Sequence, residues 1–257
     1  MAAPTYKTRV IVLRKTKLSD YDLILTLLSE DGSQLKAIAK GARKPSSPFS
    51  SRLEQFSESD VLLARGRSLD IVKEARLVDG HERLRSEMER CAGAAPVTEL
   101  LCRTTEPGLT SPRLFALTSA ALAALEGCGS AHVPAMCAAF LVKELAMVGL
   151  RPSLSVCCSC GRPVDLAADP SGDVPFSFIE GGVVCLACRP RCECVPVASS
   201  TVVAARAYLG STFARLKDLP PDVSAAFGVL RLSQRWCSHH VGARLKSLEF
   251  LFRCGLF

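Results

Sequence analysis

Apolar runs long enough for a membrane are missing from this sequence. The best candidate, VPAMCAAFLVKELAMVGL at 133–150, is interrupted by Lys143 and Glu144. It falls short of the roughly 20 apolar residues that a spanning helix needs and reads as a buried helix. The opening MAAPTYKTRVIVLRK holds only a few consecutive apolar residues, flanked by Arg9, Arg14 and Lys15, which is not the pattern of a secretory signal. A cytoplasmic protein with no membrane segment is the expectation. Enzyme signatures are missing too. There is no G-x-x-x-x-G-K-[ST], no G-x-G-x-x-G opening a helix, no G-x-S-x-G and no His-Glu-x-x-His. The acids are scattered rather than clustered for two metal ions, so catalysis has little to stand on. Aromatics are scarce at 6%. The first 80 residues offer only Tyr6, Tyr21, Phe49 and Phe56 as platforms on which bases could stack.

What is present begins with size. The 257 residues, 48% hydrophobic and 22% charged, suffice for one large or two modest cores. The formal net charge is +7, a bias toward anionic partners that matters only if it is concentrated. Cysteine is abundant: thirteen, an odd number, in a chain without a secretion signal. Most read as small core residues and the clustered ones as metal ligands. CCSCGRP at 157–163 and CLACRP at 185–190 carry two C-x-x-C pairs. Each pair fits a tight turn that aims two thiolates at one ion, and two such turns complete a tetrahedron. Cys157, Cys160, Cys185 and Cys188 are therefore the expected ligands of one structural Zn²⁺ with no open position for catalysis. A redox C-x-x-C would be a single pair opening a helix. Cys158 is an alternative to Cys157, and Cys192 or Cys194 to either of the second pair. His239 and His240, beside Cys237, have no second ligand pair in sequence and read as a helix end.

Residues 5–78 read as strands: TYKTRVIVL, DLILTLLSE, QLKAIAKG, SDVLLARG and SLDIVKEARLV, with turn signals at EDGS (30–33) and RGRS. Five short antiparallel strands in such a length point to a small barrel, most often the OB type, with an SH3-like barrel as the alternative. From Asp79 the period becomes helical. HERLRSEMERCAGAAPVTELLCR aligns Leu84, Met88, Cys91 and Ala95; SPRLFALTSAALAALEG ends at Gly127. Helical patterns resume after the cysteines with STVVAARAYLGSTFARLKD, DVSAAFGVLRLSQRWCSHHVG and ARLKSLEFLFR. The fold class expected is α+β: an N-terminal OB barrel (1–80), a helical domain in two parts (81–155 and 196–257) and a Cys₄ zinc-ribbon-like insert (156–195). The 169–175 stretch within the insert reads as a variable loop.

Lys36, Lys40, Arg43, Lys44 and Arg52 occur with no acid between Asp31 and Glu54. Arg14, Lys15 and Lys17 end the first strand, and Arg65 and Arg67 sit in a later turn. On a small barrel these positions could share one edge as a phosphate-tracking surface; the plainer reading is a solvated loop. With so few aromatics, binding there would be electrostatic, sequence-tolerant and salt-sensitive.

The run VIVLRKTKLSDYDLILTLLSEDGSQLKAIAKGARKPSSPFSSRLEQFSESDVLLARGRSLDIVKEARLVDG, followed by CCSCG and FSFIEGGVVCLAC, resembles the RecO family of bacterial DNA repair and recombination mediators over nearly the whole chain. The resemblance implies a non-enzymatic protein that binds single- and double-stranded DNA. It would anneal complementary strands, including those coated by single-strand-binding protein, and act with RecR to load RecA, in the cytoplasm and at the nucleoid. It implies contact with the C-terminal tail of single-strand-binding protein through the helical domain. The basic barrel positions it matches are Lys40, Arg43, Lys44, Arg52, Arg65 and Arg67. A second strand is expected on helical positions, with Arg206, Arg215, Lys217, Arg231, Arg235, Arg244 and Lys246 as candidates. The alternative function is a zinc-containing protein–protein adaptor associated with transcription or another nucleic-acid process.

Overall fold

The structure is a computed structural model that describes residues 3–166 and 172–257. Positions 169–171 of the expected variable loop lie outside the described residues. Five strands, β1 (Thr5–Lys17), β2 (Leu23–Ser29), β3 (Gln34–Ala39), β4 (Glu58–Ala64) and β5 (Asp70–Asp79), close a barrel in the order β1-β2-β3-β5-β4. β1 pairs back on β4, and β3 meets β5 in parallel at Ala37 with Asp70 and Ile38 with Ile71. That order is the Greek-key barrel of the OB fold. Strand alternation supplies the interior: Val10 and Val12, Leu25 and Leu27, Ala37 and Ala39, Val61 and Leu63; on β5 a register shift opposite Leu62 and Leu63 turns both Val72 and Ala75 inward. β5 leaves β3 after Ile71, and Ala42 and Leu53 from the long β3–β4 connection join the same core. Ile11 and Leu28 are cross-strand partners on the outer face and are fully buried.

The β2–β3 turn is held by Asp31, whose Oδ1 accepts from the N–H and Oγ of Ser33 at 2.8 and 2.7 Å. Gly32 turns there with φ +82°, and a Cβ on it would lie 2.0 Å from the carbonyl oxygen of Ser111. Only glycine lets this turn approach so closely.

Three helices follow: α1 (Arg83–Ser86), α2 (Met88–Thr104) and α3 (Pro112–Gly127). The single helix expected from His81 is broken at Glu87, which is extended (φ −106°, ψ 122°). The Glu87 carboxylate takes bonds of 2.6 Å from both Arg83 and Arg90. The break resets the helical phase. Leu84 is buried as expected, but Met88 is 62% exposed, and α2 instead buries Ala92, Val97, Leu100 and Leu101. α2 packs against β1 on the face that carries Ile11. His81, buried and at φ +44°, places Nδ1 2.8 Å from Glu126 Oε2, tying the end of β5 to α3.

Residues Met1–Gly127 form one compact unit and Cys128–Phe257 a second. In the second, α4 (Val133–Met147) is surrounded by α5 (Ser199–Gly210), α6 (Phe213–Asp218) and α7 (Val223–His240), and α8 (Lys246–Arg253) closes the chain. α4 is the interrupted apolar run, and it is a buried helix. Its Lys143 Nζ donates to Leu209 O at 2.9 Å, while Glu144 is fully buried. The expected single helix from Ser199 is split at Ser211–Thr212, where Thr212 Oγ1 caps α6 by accepting from Arg215 N–H at 3.2 Å. Among the described residues no helix is long and apolar enough to cross a membrane.

Between α4 and α5 lies a small sheet in the order β7-β6-β8, from β6 (Asp173–Ser177), β7 (Gly182–Val183) and β8 (Val195–Ala198). It is seated on α7 by rings: Phe176 and Phe178 lie 5.9 and 6.2 Å from Trp236, centroid to centroid. Trp236 Nε1 donates to Leu150 O at 2.8 Å.

Candidate metal centre and nucleic-acid interface

The two C-x-x-C segments form two turns. In the first, Gly161 N–H donates to Cys157 O at 2.8 Å and Cys157 N–H to Arg162 O at 2.7 Å. Gly161 makes that reversal at φ +74°. In the second, the N–H groups of Cys188 and Arg189 both reach Cys185 O at 3.0 Å. The sulfurs of Cys157, Cys160, Cys185 and Cys188 all lie within 4.8 Å of one another, and Cys160 to Cys185 is 3.8 Å. Four sulfurs at about 2.3 Å from one ion with tetrahedral angles would lie about 3.8 Å apart. Cysteines in a disulfide would be near 2.05 Å, and all thirteen are free thiols. The set therefore fits one tetrahedral divalent ion, and four thiolates suit Zn²⁺. Cys158, Cys192 and Cys194, the alternatives open from sequence, are not in this cluster. The Cys158 N–H instead donates to Val183 O at 2.9 Å, pinning the first turn to the sheet.

Electrostatics make the same point. Burial opposes a thiolate at Cys157, but N–H groups of Cys185, Cys160 and Ser159 aimed at its sulfur outweigh that and hold its pKa near 6. Hydrogen bonding with the Cys160 and Cys185 sulfurs pushes Cys188 up to about 12. Four sulfurs this close cannot all ionise unless a cation is placed among them.

His239 and His240 join no metal cluster among the described residues. His239 stacks on Phe178 at 5.4 Å, and His240 bonds Phe178 O through Nε2 at 2.9 Å with its ring 4.1 Å from Trp236. They help seat the sheet on α7.

The barrel gathers most of its candidate cations at one end. Leu23 pairs with both Lys17 and Ala39, so the β1–β2 loop adjoins the end of β3. The β4–β5 loop feeds Asp70, which pairs with Ala37, two residues from that same end. Lys40, Arg43 and Lys44 just after β3, and Arg65 and Arg67 before β5, are exposed around it, while Lys36 is exposed mid-strand opposite Thr26. Local contacts order this rim. Arg43 Nη1 donates to Ser19 O and Asp20 O at 3.1 and 2.9 Å, and Gly41 N–H to Asp22 Oδ1 at 2.7 Å. Lys44 Nζ lies 5.3 Å from the Tyr21 ring centre. Arg65 lies over Tyr6 at 4.8 Å, and the Tyr6 hydroxyl donates to Asp70, its acidity suppressed by burial and that carboxylate. Tyr21 is 57% exposed, a platform amid those five cations. Arg52 does not join them. Its Nη1 donates to Ala75 O at 3.0 Å, and it lines a groove along β5. Lys7 and Lys73, in that same groove, escaped the sequence reading because an outward lysine on a strand is ordinary; only its neighbours across the sheet give it meaning.

The seven helical candidates are all exposed. Arg231 and Arg235, one turn apart on α7, lie over Phe252 at 5.7 Å and Phe178 at 4.3 Å, and Arg244 pairs with Glu249 at 3.2 Å.

Two family models cover this chain: "Recombination protein O N terminal" over residues 1–81 and "Recombination protein O C terminal" over 85–249. The chain belongs to the RecO family. The DNA repair protein RecO of Desulforudis audaxviator is 31% identical over 98% of both chains. That of Bifidobacterium adolescentis is 29% identical over 96% of this chain and 99% of its own. RecO membership places the protein in DNA repair and recombination. The N-terminal segment covers the OB barrel, and the C-terminal segment takes in nearly all of α1 to α3 and most of the second unit, with the cysteine cluster inside it.

Proposed function

We propose that this RecO-family protein is a recombination mediator that holds single- and double-stranded DNA on its barrel and anneals complementary strands without hydrolysing nucleotides. The observation that carries this is the convergence of Lys40, Arg43, Lys44, Arg65 and Arg67 on one end of a closed OB barrel, by the pairing of β3 with β2 and β5. Annealing requires two polyanions to approach, and a protein can help by neutralising phosphates while leaving base edges free. An exposed rim of cations with one exposed tyrosine does this: it tracks backbone and reads little sequence. Four neutralised phosphates on a single strand give a log–log salt slope near −3, about a fifty-fold loss of affinity from 50 to 200 mM. The family supports the further reading that strands coated by single-strand-binding protein are substrates, through contact with that protein's C-terminal tail. It supports action with RecR to promote RecA loading, in the cytoplasm at the nucleoid.

Cys157, Cys160, Cys185 and Cys188 would hold one Zn²⁺, which supplies a cross-link between the two turns rather than a reaction centre. The chain's own residues do the rest: β6 and Phe176 dock the insert on α7, and the two turns present their sulfurs.

The test is annealing of complementary oligonucleotides, bare and coated, with no nucleotide and no added metal. Acceleration of both, weakened by salt and reduced at least ten-fold in Lys40→Glu/Arg67→Glu, supports the reading. Those two side chains make no ion pair among the described residues, so the substitution changes charge and leaves the loop contacts of Arg43 alone. No retention of DNA by the parent at low salt would instead favour a zinc-bearing protein adaptor.

A further inference from the structure

We infer that the barrel carries a second track for single-stranded DNA, on the outer face of β1, β4 and β5, separate from the rim at the end of β3. This rests on the DNA-binding reading above and deepens it. A groove of about 880 Å³ runs there, lined also by Phe49 and Arg52 from the β3–β4 connection. Such a volume is near the top of the about 300–1,000 Å³ typical of ligand sites and suits an extended segment.

The register explains what lines it. Arg9, Asp60 and Arg76 are successive partners across the three strands, and Lys7, Leu62 and Glu74 form the next row on the same face. Asp60 is held between two guanidinia, Arg9 Nε at 2.9 Å and Arg76 Nη2 at 2.5 Å. Asp60 thus fixes two arginines, Arg9 lying also 3.7 Å from Glu58 Oε1, and each guanidinium keeps further N–H donors for a phosphate. Lys7 and Lys73 are exposed and make no ion pair among the described residues, and Arg52 spends one nitrogen on Ala75 O. Five cations face three acids, the others being Glu30 and Glu74. Half-buried Phe49, packed on the barrel core, adds one fixed ring on which a base can stack.

Cations ordered by the fold, one aromatic ring and an open trough are the parts of a site that follows a single strand's backbone. A duplex cannot lower its bases into the trough, and an acidic peptide would use neither the ring nor the regular spacing. Two tracks on one barrel let a single molecule hold both strands that are to be paired. The helical positions are then not needed for the second strand.

The experiment uses the full chain and fluorescence anisotropy of a labelled single-stranded oligonucleotide over 50–200 mM salt. It also measures retention of a second, non-complementary labelled strand by protein already saturated with the first. Lys7→Gln/Lys73→Gln should make the overall salt slope shallower by about 1.4, which is about seven-fold less loss over that range. It should also abolish retention of the second strand while keeping that of the first. Lys40→Gln/Arg67→Gln should weaken the first strand instead. All four positions are exposed, and an unaltered thermal melt verifies folding; Lys7→Arg/Lys73→Arg should restore retention. If the parent binds DNA and Lys7→Gln/Lys73→Gln retains both strands with an unchanged slope, the second track is refuted and the rim reading stands. If an oligoglutamate binds with the same Lys7 and Lys73 dependence and the second strand does not, the groove belongs to a protein partner and the inference is overturned. If the parent binds no DNA, it is the rim reading itself that fails.

Discussion

Replacing Cys160 by serine isolates what a bound ion contributes. Cys160 is the exposed member of the four, whereas Cys157 is 1% exposed. Serine at 160 leaves no cavity and buries no new hydroxyl, so the metal-free variant should melt with the metal-free parent. In the loaded protein the comparison changes. An ion that binds only the folded insert stabilises it by RT ln(1 + [L]/Kd), about 4.1 kcal/mol when free metal is 1,000-fold above Kd. For a body of the size of residues 128–257, with roughly 3–4 °C per kcal/mol, that is about 12–16 °C. The assay is calorimetric melting of parent and Cys160→Ser, each with zinc and with chelator, alongside metal analysis of the protein after gel filtration. The parent should carry one equivalent and lose the increment with chelator; the variant should carry none and show no increment. Cys158→Ser should behave as the parent, because Cys158 is outside the cluster. Cys157→Ser should cost about 1–3 kcal/mol more than Cys160→Ser, for its buried hydroxyl. One equivalent of zinc retained by Cys160→Ser, or a parent melt indifferent to zinc, would refute the four-sulfur site.

Two further expectations concern the barrel. Gly32→Ala should destabilise the protein by more than about 2 kcal/mol in urea unfolding, since alanine is strained at φ +82° and its Cβ meets Ser111 O at 2.0 Å; a near-neutral result would mean that turn does not dock as described. Asp60→Asn should cost about 1 kcal/mol at pH 7. Hydrogen bonds from Arg9 and then Arg76 depress the Asp60 pKa below the ordinary carboxylate value, so its contribution is present above the unfolded value near 3.9 and fades as pH falls through the lower folded one. Stability of the parent and the variant should therefore converge as pH falls through that depressed folded value, and a gap that persists in acid below it would exclude the ionic origin.

The parts legible in the chain were those set by neighbours in sequence. A C-x-x-C with a following glycine closes its own turn, so the two sulfur pairs could be read before any fold was known. Alternation in VIVL and LILTLL marks strands because a pleated strand faces two ways, and EDGS marks the turn between them. The Ser-Pro entry and Gly127 bracket α3 for equally local reasons. The period after His81 puts Met88 on the buried face, but the helix is interrupted where Arg83 and Arg90 hold Glu87, a competition between side chains that a periodicity does not register.

Tertiary structure decided the rest. Arg52 lies only eight residues beyond Lys44, yet the return of the β3–β4 connection along β5 carries it from the rim to the groove. Lys7 on β1 is distant in sequence from Lys73 and Arg76 on β5, and they become neighbours only when β1, β4 and β5 pair in register. His239 and His240, which look like ligands beside Cys237, are taken up by Phe178 and Trp236 once the insert docks on α7. Sequence determined which local pieces this protein is made of and which chemistry they carry. Barrel closure and helix packing decided which charges meet, because electrostatic function depends on distances across the fold, and those exist only after the non-local pairings form.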